Sequence, residues 1–332
     1  MKKLTKRSIL AVLALVLAVV TLGTTSYAWF TLGNTVIVSD IELNVQGGEG
    51  LEVTYVTNGN AETGYVSVLT TEDLLNYLAA DYGVEKADSD ETAGDTFKNS
   101  FEWDAVTSTN GTAFQSFTLD QESRTPSLDS IDTVQSLASG MLEFKLRFRT
   151  KAVAAAENQQ VGLIWNQVTL NSGVGNSWEP EVTFTNSKGV EVAAGANKTY
   201  FASDAARVSI TDTKNSTTVV YENPESASNT VLSNNEPNWT GGAHAYYQKI
   251  TQVVLSETFS THKAAKTEVA VPVDAVAMFT ETPDSEGYYT ADITVRIYIE
   301  GFDAEAFNSI LSGMIKVGLQ FKLKTDIPVT TP

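Results

Sequence analysis

Residues 141–150 read MLEFKLRFRT, and their alternation decides the fold class. Leu142, Phe144, Leu146 and Phe148 fall on one side of an extended chain, with Glu143, Lys145, Arg147 and Arg149 on the other. A period of two held over ten residues specifies a strand with one covered face and one wet face. Two C-terminal stretches repeat the pattern. Ile293, Val295, Ile297 and Ile299 alternate with Thr294, Arg296, Tyr298 and Glu300, and Ile315, Val317, Leu319, Phe321 and Leu323 alternate with Lys316, Gly318, Gln320, Lys322 and Lys324. In sequence, the nearest partner for 141–150 is Val161–Leu170 (VGLIWNQVTL), read as its antiparallel neighbour across a small-residue turn at Ala152–Ala156.

Weaker strand signals fill the rest. Leu51–Val56 precedes Asn58-Gly59, a tight-turn dipeptide, and Tyr65–Leu69 is placed as its hairpin partner. Phe114, Phe117 and Leu119 mark another strand, and short candidates follow at 182–184, 199–201, 206–210, 219–221, 252–255 and 269–271. Thr71–Leu78 carries early acids and reads as a short helix ending near Gly83. Asp303 is placed as the N-cap of a second helix, Ala304–Leu311, closed by Gly313. Glu85–Asp104 reads as an irregular acidic loop tacked down by Phe97, Phe101 and Trp103. Gln121–Ser139 reads as a polar connection, Asn223–His244 as a long loop, and the last eight residues as a tail. The sum is all-β: a two-sheet, jelly-roll-like β-sandwich with long loops and two short helices. No compositional break divides residues 46–332, which are taken as one domain with loop insertions.

The chain opens on an export signal. Lys2, Lys3, Lys6 and Arg7 precede an apolar run, Ile9–Leu22, of the length of a signal core and short for a bilayer span. Ser26 and Ala28 stand at the −3 and −1 positions of a cleavage site, so residues 1–28 are read as a signal peptide. Cleavage leaves Trp29 and Phe30 at the new end, two aromatics that are costly to expose. Val36, Ile37 and Val38 are apolar on both faces, while Ile41, Leu43 and Val45 alternate with Glu42 and Asn44. Residues 29–45 are therefore read as an arm and possible donor strand, with those eight apolar side chains as its contact set. Gly47-Gly48-Glu49-Gly50 ends it.

Over 332 residues the formal charge is −18. Four of the 22 basic side chains and none of the 40 acids lie in the first 28 residues, leaving about −22 on the remainder. Such a surface repels nucleic acid and anionic lipid, so neither is expected as a partner; membrane contact is expected only through an uncleaved signal. No cysteine is present, which excludes disulfides, thiol catalysis and thiolate metal sites. An exported, cysteine-free chain points to a bacterial exoprotein.

Chemistry is sparse. His244 and His262 are the two histidines, both in loop contexts without a triad or H-E-x-x-H arrangement. No G-x-S-x-G, Walker loop or G-x-G-x-x-G occurs, so no enzymatic activity is expected. Asp88, Asp90 and Asp95 are candidate calcium ligands, although Gly94 falls at the seventh position and no Glu closes an EF-hand loop. Trp103, Trp165 and Trp239 occur in unlike contexts and read as anchors rather than a sugar platform.

The junction Thr25-Ser26-Tyr27-Ala28-Trp29-Phe30-Thr31 resembles the T-Y-A-W-F-T/S signature of leaders processed by the SipW-type signal peptidase, the family of secreted matrix proteins that includes TasA and camelysin. Met141–Arg149 and Val295–Glu305 also look like stretches of proteins carrying that leader. The resemblance implies a jelly-roll subunit exported by a Gram-positive bacterium and assembled outside the cell into biofilm-matrix or surface fibres. It also implies that the N-terminal strand, here within Trp29–Val45, completes the sheet of the next copy. Other matrix or cell-surface components are further expected partners. The alternatives are a cell-surface adhesin or glycan-binding module and, less favoured, a camelysin-like secreted protease, for which no zinc site is recognisable.

Overall fold

A computed structural model describes residues 36–37, 41–48, 50–57, 60–61, 64–120, 125–171, 175–180, 183–185, 191–222, 243–244, 247–248, 253–254, 275–303 and 314–329. The first part of the chain forms β1 (Val36–Ile37), β2 (Ile41–Gly47), β3 (Glu52–Thr57), β4 (Asn60–Ala61), β5 (Val68–Leu69), α1 (Thr71–Asp81) and α2 (Ala93–Ser100). Then come β6 (Glu102–Trp103), β7 (Ala105–Thr107), β8 (Gln115–Leu119), β9 (Pro126–Ser130), β10 (Met141–Thr150) and β11 (Gln159–Asn171). Four short strands follow, β12 (Asn176–Trp178), β13 (Phe184–Thr185), β14 (Glu191–Val192) and β15 (Lys198–Tyr200). The chain closes with β16 (Ala206–Asp212), β17 (Thr218–Glu222), β18 (Ala277–Met278), β19 (Tyr289–Glu300) and β20 (Ile315–Pro328).

The alternating stretch 141–150 is strand over its whole length, with Leu142, Phe144, Leu146 and Phe148 buried. Its partner is a correction. β10 pairs along ten residues with β19 and, on its other edge, with β3. Val161–Leu170 instead lies in the second sheet, within β11, bonded to β20 and β18. The hydrophobic period fixes which face of a strand is buried; it leaves the choice of edge partner to the tertiary fold.

One sheet runs β4-β3-β10-β19, with β16 and then β17 on the far edge of β19. β7 continues the near edge in parallel at Ile299 and Glu300, carrying β8 and β9 with it. The second sheet has the order β18-β11-β20-β2-β5. The two stack as a sandwich and their inner faces meet. Phe148 of β10 lies 4.9 Å from Phe321 of β20, and Trp165 of β11 lies 6.0 Å from Tyr221 of β17.

Helix α1 has its Leu74, Leu75 and Leu78 in the core and Tyr77 stacked on Tyr55 at 4.9 Å. Thr70 and Asp73 close it with a reciprocal capping box. Helix α2 corrects the reading of 85–104 as irregular. Thr92 and Asp95 form a second capping box, and Phe97, Phe101 and Trp103 make a chain of buried ring contacts at 5.6 and 5.1 Å. The acids that suggested a solvated loop include the one that starts the helix. The helix expected at Ala304–Leu311 lies outside the described residues.

Other boundaries move for stated reasons. β9 replaces the polar connection around 126–130, because Pro126–Ser130 completes a sheet edge on β8. β20 runs to Pro328, so the first four of the eight expected tail residues are strand, held by Gln159 and Gln160 of β11. Tyr65–Leu69 is not a full hairpin partner of β3. Val66 makes one bridge to Val53, and Val68–Leu69 pairs with β2 instead. Val253 and Val254 carry no strand, while the candidate at 269–271 lies outside the described residues. The expected wet face of β19 is covered too: Thr294, Tyr298 and Glu300 are buried.

Candidate assembly site

The expected cleavage residues, Ser26 and Ala28, and the eight arm residues fall into three groups. Ser26, Ala28, Trp29, Phe30 and Val38 lie outside the described residues. Val36 and Ile37 form β1, antiparallel to Trp103 and Glu102 of β6. Ile41, Leu43 and Val45 lie on β2, which is seated between two other strands. Along one edge β2 runs parallel to β20 for seven residues, from Ile41 opposite Ile315 to Gly47 opposite Phe321. Along the other it pairs antiparallel with β5, Val45 opposite Leu69 and Gln46 opposite Val68.

The seat is built from residues far away in sequence. Val45 is 1% exposed and shares one core with Leu69, Leu74, Leu75, Val317 and Leu319. The N–H of Gly47 donates to the Ser67 carbonyl at 2.9 Å, and that of Gly48 to the Phe321 carbonyl at 2.8 Å. On the outer face an amide ladder crosses three strands: Asn166 donates to Gln320 at 2.9 Å, and Gln320 to Gln46 at 3.4 Å.

The connection to the rest of the chain is short. The Leu51 N–H donates to the Gly48 carbonyl at 3.0 Å, and Gly50 takes a left-handed φ of 72°. A Cβ on Gly47 would stand 2.6 Å from the Leu51 carbonyl oxygen. This turn passes the chain from one sheet, at β2, to the other, at β3. Glycine is therefore required at the point where the arm joins the body.

Among the calcium candidates, Asp95 is committed to α2: its carboxylate accepts the Thr92 N–H at 3.0 Å and the Thr92 hydroxyl at 2.8 Å. Those bonds lower its pKa below the usual carboxylate range. Asp88 and Asp90 are exposed, and among the described residues no three His, Cys, Asp or Glu side chains gather as a metal site.

Trp103 and Trp165 are buried core residues; Trp239 lies outside the described residues. His244 is buried edge-on to Phe302 at 5.2 Å, a packing position rather than the loop site expected, and His262 lies outside the described residues. A cleft of about 520 Å3 opens beside the end of β2, lined in part by Glu52, Ser67, Lys151 and Tyr288. Its ring is taken already, because the Arg149 guanidinium lies 4.1 Å and the Lys151 ammonium 4.5 Å from the Tyr288 centroid.

Sequence reasoning missed one cluster. Arg207, Glu222, Glu300 and Asp303 are all buried, where strand and cap roles had been expected for Glu300 and Asp303. A charged residue inside an apolar strand such as Ala206–Ile210 was the available signal.

Comparison with family models, with curated proteins and with solved structures finds no match. Among the described residues no helix is long and apolar enough to cross a membrane.

Proposed function

We propose that this chain is an extracellular structural subunit whose copies join through the N-terminal strand. The observation that carries the reading is the seat of β2, an inserted strand gripped on both edges by other segments of the chain and joined to β3 through a glycine turn. An identical seat is filled whether the strand comes from the same copy or from the next, which is the logic of strand exchange. Each backbone bond contributes about 1 kcal/mol net and each buried Val, Ile or Leu about 1.5–3 kcal/mol. Those gains are the same in both arrangements. The balance is therefore set by the conformation of the turn and by concentration.

The leader's resemblance to the SipW-processed signature supports an extracellular location, in a biofilm matrix or at a Gram-positive cell surface. Other matrix or surface components are proposed as secondary partners. No catalysis is assigned to the chain. Mutual repulsion at about −22 opposes association, so assembly should rise with salt or with divalent cations such as calcium.

A disulfide tests the reading directly, because the chain has no cysteine of its own. Gly47 bonds to Ser67, so the next pair, Gln46 and Val68, is of the close kind that a disulfide can bridge. The double variant Gln46→Cys/Val68→Cys is concentrated in calcium-containing buffer, oxidised and run on a non-reducing gel. Exchange between copies gives a covalent ladder, with fibres by negative-stain microscopy. Monomer alone on the gel and no fibres would leave an exported adhesin or glycan-binding domain as the better reading.

A further inference from the structure

The cleft of about 520 Å3 lies where the chain crosses from one sheet to the other, and its volume suits a whole small molecule rather than one side chain. Gly48 and Ser67 wall it from the side of the second sheet, Glu52, Lys151 and Tyr288 from the side of the first, with Gly50 between them. Hydrogen bonds fix these walls. The Thr150 hydroxyl, on a residue 1% exposed, donates to the Gly50 carbonyl at 2.8 Å and accepts the Ala152 N–H at 3.1 Å, which holds the backbone on both sides of Lys151. Tyr288 closes a tight turn: its N–H donates to Asp284 Oδ1 at 2.9 Å, and its carbonyl accepts the Asp284 N–H at 2.8 Å. The Arg149 guanidinium lies over the rings of Tyr65 and Tyr288, at 3.9 and 4.1 Å, and bonds Glu52 Oε2 at 2.6 Å. The exposed Glu286 reaches Arg149 at 3.9 Å. Three polar ends remain. Among the described residues the exposed Lys151 ammonium has no carboxylate partner, and the Ser67 and Tyr288 hydroxyls have no hydrogen-bond partner.

We propose that this cleft binds an acidic sugar, a hexuronate unit whose carboxylate meets Lys151 and whose hydroxyls meet Ser67, Tyr288 and the second oxygen of Glu52. Arg149 already offsets Glu52, so Lys151 is the charge left for a ligand anion. A carboxylate only accepts hydrogen bonds, whereas serine and tyrosine hydroxyls donate and accept, so the set suits a ring rich in hydroxyls. Two cations already occupy the Tyr288 ring, which leaves polar contacts rather than stacking to select the sugar. A zwitterion fits less well, because its ammonium would face a carboxylate whose charge is spoken for. A single acidic side chain from another copy would leave most of the volume empty, and a polyphosphate chain would meet the repulsion of the whole acidic surface.

Calorimetric titration of the full chain with sodium glucuronate tests the site. A dissociation constant of about 1 mM is expected, the scale of one sugar held by a few polar contacts. Lys151→Met should weaken binding about tenfold with the circular dichroism unchanged, and Ser67→Ala about threefold. Lys86→Met, an exposed lysine outside the cleft, should bind as the unmodified chain does. Glucose, which lacks the carboxylate, and acetate, which lacks the ring, should each bind about tenfold more weakly. No saturable heat with glucuronate, or undiminished binding in Lys151→Met, would overturn the inference. Glucose binding as well as glucuronate would remove the role of the carboxylate, and acetate binding as well would remove that of the ring; either overturns it too. The titration requires no association between copies, so its failure and a failure of strand exchange are separate results.

Discussion

Val45 and Leu319 stand opposite each other in a parallel pair, although they lie near opposite ends of the chain. Both are buried in the one core that the two sheets share. Truncating Val45→Ala removes two carbons from a site with little room to collapse, so unfolding free energy should fall by about 2 kcal/mol. Urea melts with an unchanged m-value would show it; a loss below about 0.5 kcal/mol would mean that the arm is not held there.

Thr92 and Asp95 begin α2 through reciprocal bonds, a local arrangement that requires no cation. Thr92→Ala should cost about 1 kcal/mol, equally with calcium or with chelator present. Melting temperatures in the two buffers provide the check. A calcium-dependent rise that disappears in Asp95→Ala would instead assign the acidic loop to metal binding.

Arg207→Met leaves Glu222 and Asp303 buried without their counter-ion and should cost about 3–5 kcal/mol at neutral pH. Adding Glu222→Gln and Asp303→Asn to it should recover most of that loss, because the penalty comes from stranded charge rather than lost packing. Denaturation of the single and triple variants separates the two causes. Equal instability in both would place the cost in packing.

Three phenols should resist alkali. Burial pushes Tyr55, Tyr82 and Tyr298 above the usual tyrosine range, and for Tyr55 the adjacent Asp81 carboxylate, 2.7 Å away, adds to the shift. Their contribution to stability is full below the ordinary tyrosine pKa near 10 and is lost as pH rises past it. Phenolate absorbance should therefore rise in two phases, the second coinciding with loss of β-sheet circular dichroism. A single smooth titration of a folded protein would contradict the burial of these rings.

Much of the architecture was legible in the side-chain pattern. The strands at 141–150, 293–300 and 315–323 follow from a period of two, and α1 follows from early acids ahead of an apolar stripe. α2 was hidden because an acidic stretch looks the same whether its aspartates meet water or cap a helix. The assembly candidates were legible as an apolar strand, and Val45 occupies the buried position its alternation implied. What flanks that strand was not legible.

By itself the sequence determined that this chain builds sheets with one oily face, and that its N-terminal arm is apolar enough to need cover. Tertiary structure alone decided the partners. Met141–Thr150 passes over its near neighbour Val161–Leu170 for Tyr289–Glu300, and β2 takes β20 rather than β3. The reason is physical: alternation encodes which face is buried, whereas every strand edge offers the same N–H and C=O groups. Only the packing of two whole sheets distinguishes one edge from another.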